Sequence, residues 1–352
     1  MKIIVLAGGL STERDVSLTS GAGICKALLA KGHDVHLMDV YLGFPYDESR
    51  LDEVFFLPEH GLELTQTIHT QEPDIAAVKA QRGDQSACFF GPNVIELCRL
   101  ADITFLGLHG GEGESGKVQA AFDLLGIRYT GPGALGCAFA MDKDIAKQVL
   151  LQSGVETPHG FRQIKNDPVQ SVTDSGLAYP VVVKTCMGGS SIGVFIVHSD
   201  AEYEEALQKA FVYEEEVVVE EYIEGREFSC GIIDGKSLPP IEIIPKTGFF
   251  DYANKYQAGA TTEICPADIS PEVSERMQML TVRAYKALKL SVYGRADFML
   301  DGKDRLYCLE MNTLPGMTPN SLLPQEAKAV GIAYEDLCEL IIQKSMEARY
   351  RT

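Results

Sequence analysis

The sequence predicts an α/β fold of mixed α+β character, with room in its 352 residues for two or three domains. Three observations carry this expectation. The first 40 or so residues read as strand, helix, strand; a Gly-Ser loop between two strand-like runs marks a second unit after Pro158; and from about residue 225 strand-like runs stand next to one another without intervening helices. A hydrophobic content of 45% suits a globular chain, and 31 Lys plus Arg against 50 Asp plus Glu gives a net charge of -19. That balance argues against nucleic acid or an anionic membrane as the main partner.

The opening MKIIVLAGG is too short for a signal peptide or a membrane span, and no apolar run of about 18 residues follows, so the chain is expected in the cytoplasm. Nine cysteines (Cys25, Cys88, Cys98, Cys137, Cys186, Cys230, Cys265, Cys308 and Cys338) are scattered without a C-x-x-C pair. They read as small core residues in a reducing compartment rather than zinc ligands or a disulfide framework.

In chain order, KIIVLA, the Gly8-Gly9 turn, VSLTSGAGICKALLAKG and HDVHLMDV make a βαβ unit. Residues 41–92, punctuated by Pro45, Pro58, Pro73 and Pro92, yield no ordered assignment. The pattern resumes with a short helix at VIELCRLA, a strand at ITFLGLH and a helix at KVQAAFDLLG. One helix is predicted over ALGCAFAMDKDIAKQVLLQSG, closing on Gly154, with Pro158 marking a boundary. Then come YPVVVKT, the loop GGSSIG, VFIVHS, a helix at SDAEYEEALQKAF and the apolar run EEVVVEEYI. EFSCGII and PPIEIIPK follow as strands, then a long helix around SPEVSERMQMLTVRAYKALKL, a hairpin through DGKD at 301–304, and a last helix from about residue 334.

Two familiar patterns fail on inspection. GEGESG at 111–116 fits G-x-G-x-x-G, but Glu112 and Glu114 would face a pyrophosphate. GKS at 235–237 resembles the end of a P-loop, but Cys230 stands where that motif needs glycine, and no helix follows.

The chemistry-bearing candidates come from strand geometry. Residues two apart on a strand share a face, so Glu310 and Asn312 in CLEMNTLPG point together, as do Arg295 and Asp297 in GRADFML. A turn centred on Gly302 and Lys303 predicts Arg295 opposite Glu310 and Asp297 opposite Cys308. The group is then either a solvated face in which Arg295 pairs with Glu310, or a hard-oxygen site of the kind Mg²⁺ uses with substrate phosphates. Lys184 ends a strand before a loop of small residues, which is either an ordinary hairpin turn or a backbone cradle for anionic oxygens. Lys143 and Lys255 supply further cations or merely decorate the surface. Glu13 lies at the C-terminal end of the first strand, where open α/β sheets bind ligands, or else caps the helix that follows. His109 ends a later strand in a comparable place, with a structural role as the alternative.

Taken together, GGLSTERDVSLTSG, LHGGEGESGKVQA, YTGPGALGCAFAMDKDIAK, YPVVVKTCMGGSSIGV, VEEYIEGREF, FFDYANKY, GRADFML and LEMNTLPGMTPNSLLP resemble the D-alanine–D-alanine ligases of the ATP-grasp superfamily. The resemblance spans almost the whole chain and is weakest over 41–100. It implies an ATP-grasp fold in three domains. Residues 1–130 would carry an open parallel sheet and the first D-alanine site, 131–219 the central unit, and 220–352 the metal and catalytic site, with ATP between the last two.

By that resemblance Lys143, Lys184 and Ser191 hold nucleotide phosphates, Glu220, Tyr222, Ile223 and Glu227 line the adenosine site, and Lys255 reaches the γ-phosphate. Asp297, Glu310 and Asn312 would carry two Mg²⁺, with Mn²⁺ as an alternative. Glu13 would receive the ammonium of the first D-alanine, and Ser190 and Tyr256 would link to it as a lid loop closes. Arg295 and the Gly316 N–H would meet the oxyanion, Ser321 and Leu322 would lie near the second substrate, and His109 would line the substrate site. The implied activity is ATP-dependent joining of two D-alanines through an acyl phosphate, for peptidoglycan precursors, by a homodimer. Tyr256, Ser190 and His109 all remain open as the base for the second amine.

Some positions depart from the family pattern: Thr185 and Cys186 after the cradle lysine, Ser115 for a frequent Asp, and Ala120 for a frequent Gly. Tyr256 with Leu322 resembles the enzymes that make the dipeptide. A D-alanine–D-serine ligase is the nearest alternative. A catalytically inactive nucleotide-binding protein is the alternative of another class, and it would require loss of a metal ligand or of Arg295, none of which is lost.

Overall fold

The first strand, β1 (Lys2–Ala7), buries every residue after Lys2, and such runs belong in a parallel sheet covered on both faces. In the computed structural model, which describes residues 1–69, 72–246 and 260–350, β1 is the centre of a three-stranded parallel sheet. It is flanked by β2 (Asp34–Asp39) and β3 (Ile103–Leu106) in the order β2-β1-β3. Helix α1 (Arg14–Ala30) makes the predicted crossover between β1 and β2. The stretch that resisted sequence reading contains a 3₁₀ segment, Glu48–Phe56, and α2 (Ile75–Gln81). Leu51, Val54 and Phe55 of the 3₁₀ segment join the same core as β1. The unit continues with α3 (Val94–Leu100), a single turn α4 (Gly111–Glu114) and α5 (Lys117–Leu125).

The single helix predicted up to Gly154 is instead two, α6 (Ala134–Met141) and α7 (Lys143–Gln152). Asp142 interrupts them with an extended ψ of 106°, and its carboxylate accepts the N–H groups of Asp144 and Ile145, both at 3.1 Å. Aspartate is a poor interior residue and a good N-cap, so the apolar periodicity runs on through a position where the backbone does not. The break turns the Lys143 N–H out of the helix and onto the Cys186 carbonyl at 3.0 Å.

The second sheet is antiparallel, in the order β4-β7-β5-β6, from β4 (Gly160–Ile164), β5 (Val181–Thr185), β6 (Val194–Val197) and β7 (Glu216–Glu221). Helix α8 (Asp200–Ala210) lays Tyr203, Ala206 and Leu207 on its valines. β4 was not predicted, because GFRQI has a glycine and an arginine where alternation would need apolar residues.

The third sheet, ordered β11-β10-β8-β12-β13, comprises β8 (Gly225–Ile233), β10 (Ile241–Pro245), β11 (Thr261–Ile264), β12 (Tyr293–Asp301) and β13 (Leu306–Asn312). The two-residue β9 (Lys236–Ser237) folds back on β8. Helix α9 (Pro271–Ala287) covers this sheet, and Ala146 and Leu150 of α7 share its core with Phe228, Phe298 and Met277. The chain ends in α10 (Leu322–Ala329), which was not predicted as a helix, and α11 (Tyr334–Arg349). Leu337 and Ile341 of α11 pack in the cluster that holds Ile24 and Leu28 of α1, so the end of the chain closes on its first unit.

The β12–β13 hairpin departs from its predicted register. Arg295 lies opposite Asn312, and Asp297 opposite Glu310, rather than opposite Glu310 and Cys308. Two local features cause the shift. The turn holds three residues, Gly302 to Asp304, with Asp304 left-handed at φ 58°, and a bulge after Asp297 takes up Leu309.

Replacing Asp142 with Ala removes the cap of α7. We expect a loss of about 1 kcal/mol in unfolding free energy, read from the urea midpoint at unchanged m-value.

Candidate active site

Loops from all three units surround two adjoining cavities of about 590 and 410 Å³. Lys143, Gly188, Gly189, Ser190 and Glu310 line both, and so form the wall between them. The larger cavity also holds Glu13, His109, Arg295, Asn312, Gly316, Ser321 and Leu322. The smaller also holds Lys184, Ser191, Glu220, Tyr222, Ile223, Glu227 and Asp297. Apart from Lys255 and Tyr256, which lie outside the described residues, every residue assigned a site role from the sequence faces one cavity or both.

Glu13 occupies the backbone N-cap position of α1, but its side chain makes no capping hydrogen bond. Instead its carboxylate accepts the Ser190 hydroxyl, across a sequence separation of 177. The turn before it is fixed from below: Arg14 donates to the Gly9 carbonyl at 2.7 Å and pairs with buried Asp39 at 2.5 Å. Gly8 is required there, since with φ +73° a Cβ would stand 2.2 Å from an Asp39 carboxylate oxygen.

His109 is buried, and both its ring nitrogens are engaged, Nδ1 with the Leu314 carbonyl at 2.8 Å and Nε2 with Ser20 Oγ at 2.9 Å. Burial holds its pKa below the usual histidine range. A neutral ring with Nδ1–H donating and Nε2 accepting satisfies both contacts. Beside it Glu114 accepts the backbone N–H groups of Gly110 (3.0 Å), Thr313 (3.0 Å) and Leu314 (3.1 Å). Burial, reinforced by the nearby Glu13 charge, nevertheless pushes the Glu114 carboxyl upward.

In the smaller cavity, buried Glu220 takes Lys184 at 2.5 Å on one oxygen and Lys147 on the other. Burial works against its charge, yet the two ammonium groups hold the carboxyl below its ordinary range. Lys143 donates to the Gly188 carbonyl at 2.6 Å and lies 3.3 Å from Glu310. It too is buried, and Glu310 keeps its pKa above the ordinary value against that burial. β5 and β6 form a true hairpin, with Lys184 opposite Val194, but its loop is not an ordinary turn. Ser190 and Ser191 have φ of 49° and 60°, a left-handed conformation that is uncommon and costly outside glycine. Consecutive unusual dihedrals of this kind turn backbone N–H groups into an anion-binding concavity.

On the third sheet Arg295 grips Asp297 with Nε to Oδ1 at 2.9 Å and Nη2 to Oδ2 at 2.8 Å. Asp297 also accepts the Ser229 hydroxyl and, at 2.8 Å, the Asn312 amide. The arginine therefore pairs with Asp297, not with Glu310 as the solvated-face reading had it. Burial opposes its charge, but Asp297 raises its pKa further. The oxygens of Asp297, Glu310 and Asn312 suit a hard cation whose coordination phosphate oxygens complete, since Mg²⁺ commonly takes only one or two carboxylates from the protein. The amide of Asn312, turned end for end, presents its oxygen where it now donates.

Three residues at the site escaped sequence reasoning. Lys147 was detectable as the residue four after Lys143, on the same helix face. Glu114 stands in the rejected G-x-G-x-x-G match and in the retained family pattern, but neither marks it as a site residue. Glu326 of α10 is fully buried and packs against the backbone of Gly231, which pairs with Arg295 in register, and among the described residues neither of its oxygens makes a hydrogen bond of ordinary geometry. Burial pushes its carboxyl well above the ordinary range.

Comparison with known proteins adds independent findings. Residues 2–132 match the family model described as the D-ala D-ala ligase N-terminus, and 155–343 match that of the C-terminus. A D-alanine–D-alanine ligase of Pediococcus pentosaceus is 43% identical over 346 residues, with 97% of each chain covered. One from Lacticaseibacillus casei is 42% identical over 352 residues, covering 99% of this chain and 96% of the relative. Among solved structures, a Bacillus anthracis D-alanine–D-alanine ligase complexed with ATP superposes with a TM-score of 0.76 at 32% identity, covering 99% and 98% of the two chains. The VanG D-Ala:D-Ser ligase of Enterococcus faecalis gives 0.73 at 27% identity, covering 98% and 99%.

Glu326 makes a test of the site's electrostatics. Its raised pKa means the native chain keeps a proton that the unfolded chain loses at about pH 4.3, so stability falls as pH rises from there toward the native value. In Glu326→Gln that contribution vanishes. Thermal unfolding followed from pH 5 to 8 should decline less steeply in the variant than in the wild type, and equal slopes would exclude a protonated Glu326.

Proposed function

The chain belongs to the D-alanine–D-alanine ligase family, and from that premise we propose how its residues divide the reaction. It is an ATP-dependent ligase that joins two D-alanines to D-alanyl-D-alanine for peptidoglycan precursor synthesis. A carboxylate oxygen is a poor leaving group, so ATP first phosphorylates the first D-alanine. The amine of the second then attacks the acyl carbon and inorganic phosphate departs.

In this proposal the smaller cavity takes ATP, with Lys143, Lys184, Ser191 and the loop N–H groups on its phosphates and Glu220, Tyr222, Ile223 and Glu227 around adenosine. The larger takes the amino acids, Glu13 receiving the first ammonium beside His109, and Ser321 and Leu322 bordering the second. Arg295 and the Gly316 N–H meet the tetrahedral oxyanion. Asp297, Glu310 and Asn312 would hold Mg²⁺, which lowers the charge barrier to phosphoryl transfer. Lys255 and Tyr256, outside the described residues, are assigned by the family resemblance alone to the γ-phosphate and the lid. We further propose domains at 1–130, 131–219 and 220–352, a homodimer, and a cytoplasmic location. In support of the last, no described helix is long and apolar enough to cross a membrane, and the cysteines are all unpaired.

The observation that best supports this reading is the shared wall. Lys143, Ser190 and Glu310 face both cavities, so a phosphoryl group can pass from one to the other without leaving protein contact. This arrangement suits a reaction whose acyl phosphate must not meet water.

Two measurements test it. ADP release and dipeptide formation are followed with D-alanine alone and with D-alanine plus D-serine, D-lactate or L-amino acids. Turnover with D-alanine alone is expected; its absence sinks the reading, and preference for D-serine would favour the depsipeptide-free alternative, a D-alanine–D-serine ligase. Arg295→Met should leave ATP affinity nearly unchanged and lower kcat by about a hundredfold or more. An unchanged kcat would remove Arg295 from the mechanism.

A further inference from the structure

The attacking amine arrives as an ammonium and must lose a proton before it has a lone pair to offer. We infer that Glu263 accepts that proton, acting as the general base for the second amino acid. The inference rests on the ligase reading above.

The geometry begins with β11. Its residues alternate, Thr261 and Glu263 half-buried and Thr262 and Ile264 exposed, so one face of this edge strand looks inward. Both inward residues line the larger cavity, together with Arg295, Ser321 and Leu322. Glu263 is held from the neighbouring helix: the Gln325 amide of α10 donates to its Oε2, and the same amide reaches the Asn320 carbonyl at 2.8 Å. Gln325 lies one helical turn beyond Ser321, so the carboxylate is tied beside the residues assigned to the second substrate. The other bases left open by the sequence among the described residues are already engaged, Ser190 with Glu13 and His109 with Leu314 and Ser20.

The charge environment suits the task. Burial raises the Glu263 carboxyl above its ordinary range, while the Gln325 contact and the Arg295 charge restrain the rise. A carboxylate so placed remains ionised enough to attract an ammonium, and it is more basic than one in water.

The step balances. One proton passes from the ammonium nitrogen to Glu263, freeing the lone pair. The nitrogen attacks the acyl carbon, the C–N bond forms, and the C–O bond to phosphorus's oxygen breaks as phosphate leaves with the electron pair. The second proton on nitrogen leaves with the phosphate.

Hydroxylamine separates this role from a structural one, because it is uncharged at neutral pH and needs no base to attack an acyl phosphate. The full chain and Glu263→Gln are each given ATP and D-alanine, with and without hydroxylamine. In the variant, dipeptide formation should fall about a hundredfold, while D-alanine hydroxamate forms within about threefold of the wild-type rate; Glu263→Asp should recover part of the dipeptide rate. Equal dipeptide rates in variant and wild type overturn the inference, as does parallel loss of both products. A wild-type chain that makes neither product overturns the ligase reading itself, and with it this inference.

Discussion

The ammonium of Lys143 is the contact on which the site's geometry depends. It stands 2.6 Å from the Gly188 carbonyl of the second unit's loop and 3.3 Å from Glu310 of the third unit's hairpin, and it lines both cavities. It can do so because Asp142 breaks the helix just before it. The break puts Lys143 in the first turn of α7 and frees its N–H for Cys186. A continuous helix would have bound that N–H internally, and the loop carrying Ser190 and Ser191 would have lost its anchor.

Buried charge is costly unless paired, and paired buried charges are weak evidence for stability. The site nevertheless concentrates them: Glu220 between Lys147 and Lys184, Arg295 on Asp297, Lys143 beside Glu310. Their value is better understood as preorganisation. Lys143 and Lys184, which would face phosphate, are each held in place by a carboxylate before any anion arrives, and little reorganisation is then needed when charge develops. Glu114 performs the same service for the backbone, fixing Thr313 and Leu314 just before the Pro315-Gly316 turn.

Much of this was legible in the sequence, and the rest fails for physical reasons. Period-two spacing correctly placed Glu310 with Asn312 and Arg295 with Asp297. It could not give their register, because a left-handed Asp304 and a bulge at Leu309 each shift the count by one residue without a strong compositional signal. Apolar periodicity runs on through Asp142 because Ala140 of α6 and Ala146 and Leu150 of α7 join one core cluster at helical spacing. Residues 41–92 resisted because a 3₁₀ segment and a short helix, separated by prolines, have no sustained period. Glu114 and Lys147 are not among the candidates because the contacts that tie them into the site reach Thr313 and Glu220, 199 and 73 residues away, and a spacing of four from Gly110 or Lys143 does not reveal those contacts.

The link between Glu13 and Ser190 shows why a distant pairing should exist at all. Ser190 sits in a conformation that costs free energy in an L-residue, and its hydroxyl is spent on a carboxylate of the first unit. The strain belongs to the anion-binding concavity, but holding phosphate alone would not need a hydroxyl that reaches Glu13 of the first unit. With the proposed assignment of phosphate to the loop and the first ammonium to Glu13, this tie would couple the two sites: a ligand that reorients Glu13 would act on the loop, and the reverse would hold by linkage. Ser190 is also one of the residues that line both cavities. On the proposed reading, coupling of the two sites would then rest on one hydrogen bond at the junction of the two units.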